Sequence, residues 1–144
     1  FEGWPLGLMD ALATLRWRGI LLALANKNDE TKVNRFWGET LNFRFPLEDF
    51  VSRKINGRPK VESIREILAE TNPLPGNGLF VDDSPAERAA AVAAFPEMRV
   101  TGSNPHLTKR ILVWSAETQV AGVPEEATDW TRSVRALAAG ARDV

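Results

Sequence analysis

Leu8, Leu12 and Leu15, with Met9 beside them, recur at a spacing of three to four residues, which places them on one face of a helix. Pro5 suits the first turn of that helix and Gly19 can close it. The pattern then changes. Residues 20–25, ILLALA, are uniformly apolar and too short for a helix alone, and they predict a strand buried on both faces, as in a parallel sheet. NKNDE follows with loop chemistry, and ETKVNRFW begins a second helix. Between 38 and 58 the pattern is weakest, with a short strand expected around DFVSRKI.

From Pro59 the periodicity returns. Val61, Ile64 and Leu68 share a helical face with Ile67 alongside, and TNPLPGN stops the helix. GLFV predicts a second buried strand, Pro85 to Ala94 an amphipathic helix, and MRVTG a third strand. Helix and strand alternate, which is the pattern of βαβ units around a parallel sheet. Residues 105–144 read as a C-terminal helical tail: NPHLTKRILVW is one helix, and PEEATDWTRSVRALAAGA is another with acids early and arginines late, as a helix dipole favours. His106, Trp114 and Trp130 in that tail read as packing or surface positions.

Composition narrows the function classes. The chain has 144 residues and 44% hydrophobic content, which is enough for one domain with its own core. Eighteen basic residues against nineteen acidic ones leave no broad cationic surface for nucleic acid or an anionic membrane. With no cysteine there are no disulfides, thiolate metal sites or cysteine nucleophiles, in keeping with a cytoplasmic setting. No apolar run approaches the roughly 20 residues a bilayer span requires.

The chemistry gathers in three loops expected beyond or beside strand ends, where open α/β sheets bind ligands. These are NKND after the first strand, RPK ahead of the helix at 61, and DDSP after the second strand. Asp82 and Asp83 are adjacent carboxylates at a strand end, and two like charges that close call for a cation between them. Their oxygens suit magnesium, which bridges one or two carboxylates to a phosphate and keeps waters. Lys60 is a compact cation able to neutralise a phosphoryl group, and the Asn26 amide can donate to a phosphate oxygen. The same letters also fit a plain helix start, with Asp83 or Ser84 as N-cap and Pro85 at the first helical position.

The ordered set RGILLALANKNDE, EDFVSRKING, RPK, ESIREILAETN and LPGNGLFVDDSPAER, with GWPLGLMDAL before it and ETQV after it, resembles the haloacid-dehalogenase-like (HAD) superfamily, in its FkbH-like branch, subfamily IIIC. The resemblance runs over nearly all of residues 1–144. It implies a Rossmann-like three-layer parallel sheet and magnesium-dependent phosphatase or phosphotransferase chemistry through an aspartyl phosphate. The substrate would be a phosphorylated small molecule, and this branch is associated with loading acyl or glyceryl units onto an acyl carrier protein. On matching positions, Asp82 and Asp83 take the metal role, Lys60 the phosphate-stabilising role, and Asn26 the place of a phosphate-binding hydroxyl residue.

The chain also departs from that pattern. No Asp-x-Asp occurs in residues 1–144, so the family's nucleophile and its central strand are missing from this chain. Asn26 replaces Ser or Thr, Ala25 stands where glyceryl-loading members have cysteine, and Gly57 stands where an aromatic residue is usual. The expectation is a chain inactive alone, whose strands ending at Asn26 and Asp82 flank a gap, completed by a further segment or by a strand-pairing oligomer. The alternative function is a non-catalytic module that binds a phosphorylated metabolite or a carrier protein.

Overall fold

A computed structural model describes residues 4–119 and 127–140. The first helix, α1 (Trp4–Trp17), ends as the sequence pattern requires. Gly19 adopts a positive φ of 84°, its N–H donates to Arg16 O at 2.9 Å, and Ile20 N–H donates to Leu15 O at 3.0 Å. These two bonds form the left-handed cap that glycine makes inexpensive, and Ile20 and Leu15 both pack into the core beside it. Ile20 is thereby committed to the helix end, so strand β1 (Ala23–Asn26) starts three residues later than ILLALA predicts.

β1 leads through α2 (Glu30–Thr40), capped by the Asp29 carboxylate on Lys32 N, to β2 (Ser52–Ile55). The two strands pair in parallel, with Ala23 opposite Ser52 and Asn26 opposite Ile55. Next come α3 (Lys60–Thr71), β3 (Leu79–Val81), α4 (Pro85–Ala94) and β4 (Arg99–Thr101). β3 and β4 form a second parallel pair, Leu79 opposite Arg99 and Val81 opposite Thr101. Helices α5 (Pro105–Trp114) and α6 (Ala127–Gly140) complete the described chain. The fold is α/β, with two separate two-stranded parallel sheets. Among the described residues, β1 and β3 do not pair with each other.

Alternation along β3 shows how the layers sit. Leu79 and Val81 pack against a cluster built from Met9, Ala11 and Leu15 of α1, Leu112 of α5, Trp37 of α2 and the 45–50 segment. Phe80, between them, packs with Ile64 of α3, Ala91 of α4 and Met98. Successive strand side chains point to opposite faces, so helices cover both sides of this strand. Leu24 of β1 joins the first cluster as well, so both sheets rest on one shared core. Phe45, only 1% exposed, anchors that core: the Trp37 indole N–H donates to its carbonyl at 2.7 Å, and Phe50 meets both rings edge-on.

One expectation needs correction. The strands are not buried on both faces: Ala23 is exposed, and the other residues of β1 and all of β3 are half-buried. Among the described residues each has one ladder neighbour rather than two, and its strand residues stay partly accessible. The expected C-terminal tail is helical where it is described, and its first helix, α5, packs on α1. Lys109 Nζ lies 3.6 Å from Asp10, Arg18 donates to the carbonyls of Val113 and Thr118, and α5 buries Thr108 and Leu112. Residues 124–126 and 141 of the last expected helix lie outside the described residues, as does the Trp130 side chain. Trp114 and His106 are exposed.

Candidate phosphate and metal site

The three chemistry-bearing loops all follow strands. NKND leaves β1, the segment 56–59 leaves β2 and delivers Lys60 as the first residue of α3, and DDSP leaves β3. Contacts tie them to one another: Asn56 N–H donates to Asn26 O at 3.0 Å. Lys27, one residue past β1, lies 3.5 Å from Glu87 in the first turn of α4, and Lys60 lies 2.5 Å from Asp82, one residue past β3.

Asp82 is the centre of the arrangement. It is 8% exposed, and its two carboxylate oxygens have different partners. Oδ2 accepts from Lys60 Nζ at 2.5 Å, and Oδ1 accepts from the Ser84 backbone N–H at 2.9 Å. The second bond is a local turn of the kind Asp favours, and it orients the carboxylate across the strand end. The backbone of Asp82 is held equally closely. Its N–H donates to Thr101 O at 3.0 Å, and Arg88 Nη1 donates to Asp82 O at 2.9 Å and to Asp83 O at 2.7 Å. Gly102, with φ of 111°, lies so near that a Cβ there would be 2.5 Å from Asp82 O.

Asp83 is exposed. Among the described residues only its carbonyl is engaged, by Arg88, and its carboxylate does not share Lys60. Ser84, not Asp83, caps α4 by accepting from Glu87 N–H, with Pro85 at the first helical position. The helix-start reading therefore accounts for Ser84 and Pro85 and leaves Asp82 facing a lysine. Asn26, the last residue of β1, uses its carbonyl to accept from Asn56 N–H at 3.0 Å. Its side chain makes no hydrogen bond among the described residues.

Lys60 owes its place to the loop before it. Pro59 fixes an extended entry to α3, and Arg58 forks onto Glu66 about two turns further along, with Nη1 and Nη2 at 2.6 and 3.1 Å from its two oxygens. That hydrogen bond, aided by charge attraction, holds Glu66 below the usual carboxylate range and raises the Arg58 guanidinium above its ordinary value. Lys54 of β2 adds a contact to Glu66 at 3.6 Å and one to Glu70 at 2.5 Å, and Ser52 donates to Glu70 at 2.7 Å. β2 and α3 are stapled together by these charges, which fixes the helix that carries Lys60.

Sequence reasoning missed Arg88 and Gly102. Arg88 was detectable in principle: it stands one helical turn after Ser84, where a long donor can fold back over the carbonyls at the helix start. Gly102 carried the weaker signal of a glycine directly after a short strand.

Oxygen donors from Asp82 and Asp83 are the type a magnesium ion takes, and Asp82 already has a positive charge against it, so the donor chemistry fits a hard cation. Among the described residues, no three histidine, cysteine or acidic side chains gather tightly enough to hold an ion by themselves. Magnesium's habit of completing its shell with water and substrate phosphate makes two carboxylates sufficient. No helix among the described residues is long and apolar enough to cross a membrane.

No family model matches the chain, and neither does any curated protein or solved structure.

Proposed function

We propose that this chain forms the phosphate- and metal-binding part of a HAD-like, FkbH-type phosphatase or phosphotransferase domain with a Rossmann-like core, working in the cytoplasm on a phosphorylated small molecule. The observation that carries the reading is the 2.5 Å pairing of Lys60 with Asp82, two residues 22 positions apart that meet where parallel strands end. A carboxylate and an ammonium at a strand terminus are the complementary halves of a site for a cation and a phosphoryl group.

Each residue then has a task. Lys60, on the rigid first turn of α3, neutralises charge on the phosphoryl oxygens. Asp82, braced by Ser84, Arg88 and the Gly102 contact, directs one carboxylate oxygen into the site, and Asp83 adds a second from the exposed side. Asn26 offers its amide to a phosphate oxygen from the end of β1. A bound magnesium ion would supply charge stabilisation at the transferring phosphoryl group. The attacking carboxylate is not among residues 1–144, which hold no Asp-x-Asp, and the reading assigns it to another segment or chain.

The test is thermal unfolding with magnesium and inorganic phosphate together. A ligand pair that binds only the native state at 100 times its dissociation constant adds about 2.7 kcal/mol, a rise of several degrees. The rise should vanish in Asp82→Ala. An unchanged midpoint in the unsubstituted protein refutes the reading. The absent Asp-x-Asp favours a second reading, a module that binds phosphorylated ligands without turnover. It would show the same stabilisation and no hydrolysis of an aryl phosphate, even when a segment carrying Asp-x-Asp is supplied.

A further inference from the structure

Each carboxylate oxygen of Asp82 already has a partner. Lys60 Nζ occupies Oδ2 at 2.5 Å, and the Ser84 amide occupies Oδ1 at 2.9 Å. A magnesium ion binds a carboxylate oxygen at about 2.1 Å, so on Oδ2 it would lie at most about 4.6 Å from the ammonium. Two positive centres at that distance on one buried carboxylate repel strongly. The Ser84 contact belongs to the backbone of the turn that starts α4 and cannot yield without unwinding it. Lys60 can yield: its backbone is fixed at the start of α3, but its ammonium sits on a flexible stem and its side chain is 20% exposed. Among the described residues, Asp82 is the carboxylate with which Lys60 pairs. Once displaced, the ammonium has lost its counter-charge.

We infer that Lys60 is an internal occupant of the cation position, and that a divalent cation and a phosphate dianion therefore bind as a mutually reinforcing pair. The inference rests on the phosphate- and metal-site reading above and concerns how that site is regulated. Cation alone must expel the ammonium from Asp82 and leave it unpaired. Phosphate alone must draw Lys60 away from Asp82 and leave a buried carboxylate without its partner. When both bind, the cation takes the carboxylate and the phosphate takes the lysine, so every charge is matched. Thermodynamic linkage requires the two affinities to rise by the same factor. The empty protein therefore binds either ion alone more weakly than it binds the pair.

Calorimetric titration of the protein with magnesium chloride, with and without saturating inorganic phosphate, tests this. Association of magnesium with phosphate in buffer is subtracted from a protein-free titration. The expected result is magnesium binding at least tenfold tighter with phosphate present, and phosphate binding tightened by the same factor with magnesium present. In Lys60→Gln, magnesium without phosphate should bind at least tenfold tighter than in the unsubstituted protein, and phosphate should no longer enhance it. If magnesium binds through Asp82, being lost in Asp82→Asn, yet its affinity ignores both phosphate and Lys60→Gln, the occupancy mechanism is overturned while the site reading stands. If neither ion binds the unsubstituted protein or Lys60→Gln, alone or together, both fail. Should Lys60→Gln not fold, the coupling measured in the unsubstituted protein decides alone: a factor of one overturns the mechanism.

Discussion

Replacing Gly102 with alanine probes the packing that positions Asp82. A Cβ at 102 would lie 2.5 Å from Asp82 O, 2.7 Å from its N and 2.8 Å from its carbonyl carbon, against ordinary contact from 3.4 Å upward. All three are backbone atoms on the neighbouring strand's exit, so no side chain can swing aside. The strand ends would have to part by nearly an ångström, which breaks the bond from Asp82 N–H to Thr101 O. Three costs combine: positive φ for a residue with a Cβ, about 1–2 kcal/mol; overpacking, about 1–3 kcal/mol; and the lost hydrogen bond, about 1 kcal/mol. The expected loss is about 3–6 kcal/mol by denaturant titration, which for a chain of this size lowers the melting midpoint by about 6–24 °C. Gly57→Ala is the control, since nothing lies within 4 Å of a Cβ there. It should change stability by less than about 0.5 kcal/mol. A Gly102→Ala protein within about 1 kcal/mol of the parent would refute the packing argument.

Gly38 lies inside α2 with open space where a Cβ would go, so Gly38→Ala should stabilise the protein by about 0.5–1 kcal/mol in the same titration, and a loss would show that the helix is wrongly placed. The Glu66 carboxyl, depressed by Arg58, should titrate by carbon-detected NMR below the ordinary carboxylate range, and Arg58→Gln should move it upward; an unmoved titration would deny the pairing. Because the folded value is the lower one, the Arg58 pairing contributes stability above the ordinary carboxylate pKa and loses it as pH falls through the folded value. The raised Arg58 value has the opposite sense, with a contribution lost only at strongly alkaline pH.

Where an element's ends are marked by local chemistry, the sequence located it well. Pro85 and Pro105 both open helices, Ser84 and Asn104 cap them, and Asn72 in a left-handed conformation ends α3 just before Pro73. The apolar run 20–25 misled because its first residue serves the helix before it, through the bond from Ile20 to Leu15, and pattern alone cannot divide such a run. Burial of the strands was overestimated because a strand's flank depends on neighbours remote in sequence. At the site, residue type pointed to Lys60 and Asp82, but only tertiary geometry reveals that Lys60 rests on Asp82 and not on Asp83. Arg88 and Gly102 act through backbone atoms, and composition carries little trace of such roles.

The separation of β1 from β3 bears on how the molecule folds and breathes. Each parallel pair closes over its own short loop of chain, residues 23–55 and 79–101, with its own crossover helix. Side-chain packing on a shared core, together with the Lys27–Glu87 and Lys60–Asp82 contacts, links the pairs. Such modules open as distinct cooperative units, so native-state amide exchange should resolve two protection levels, one per βαβ unit. A ligand gripping both strand ends would merge them into one, so occupancy could be read from the exchange pattern alone.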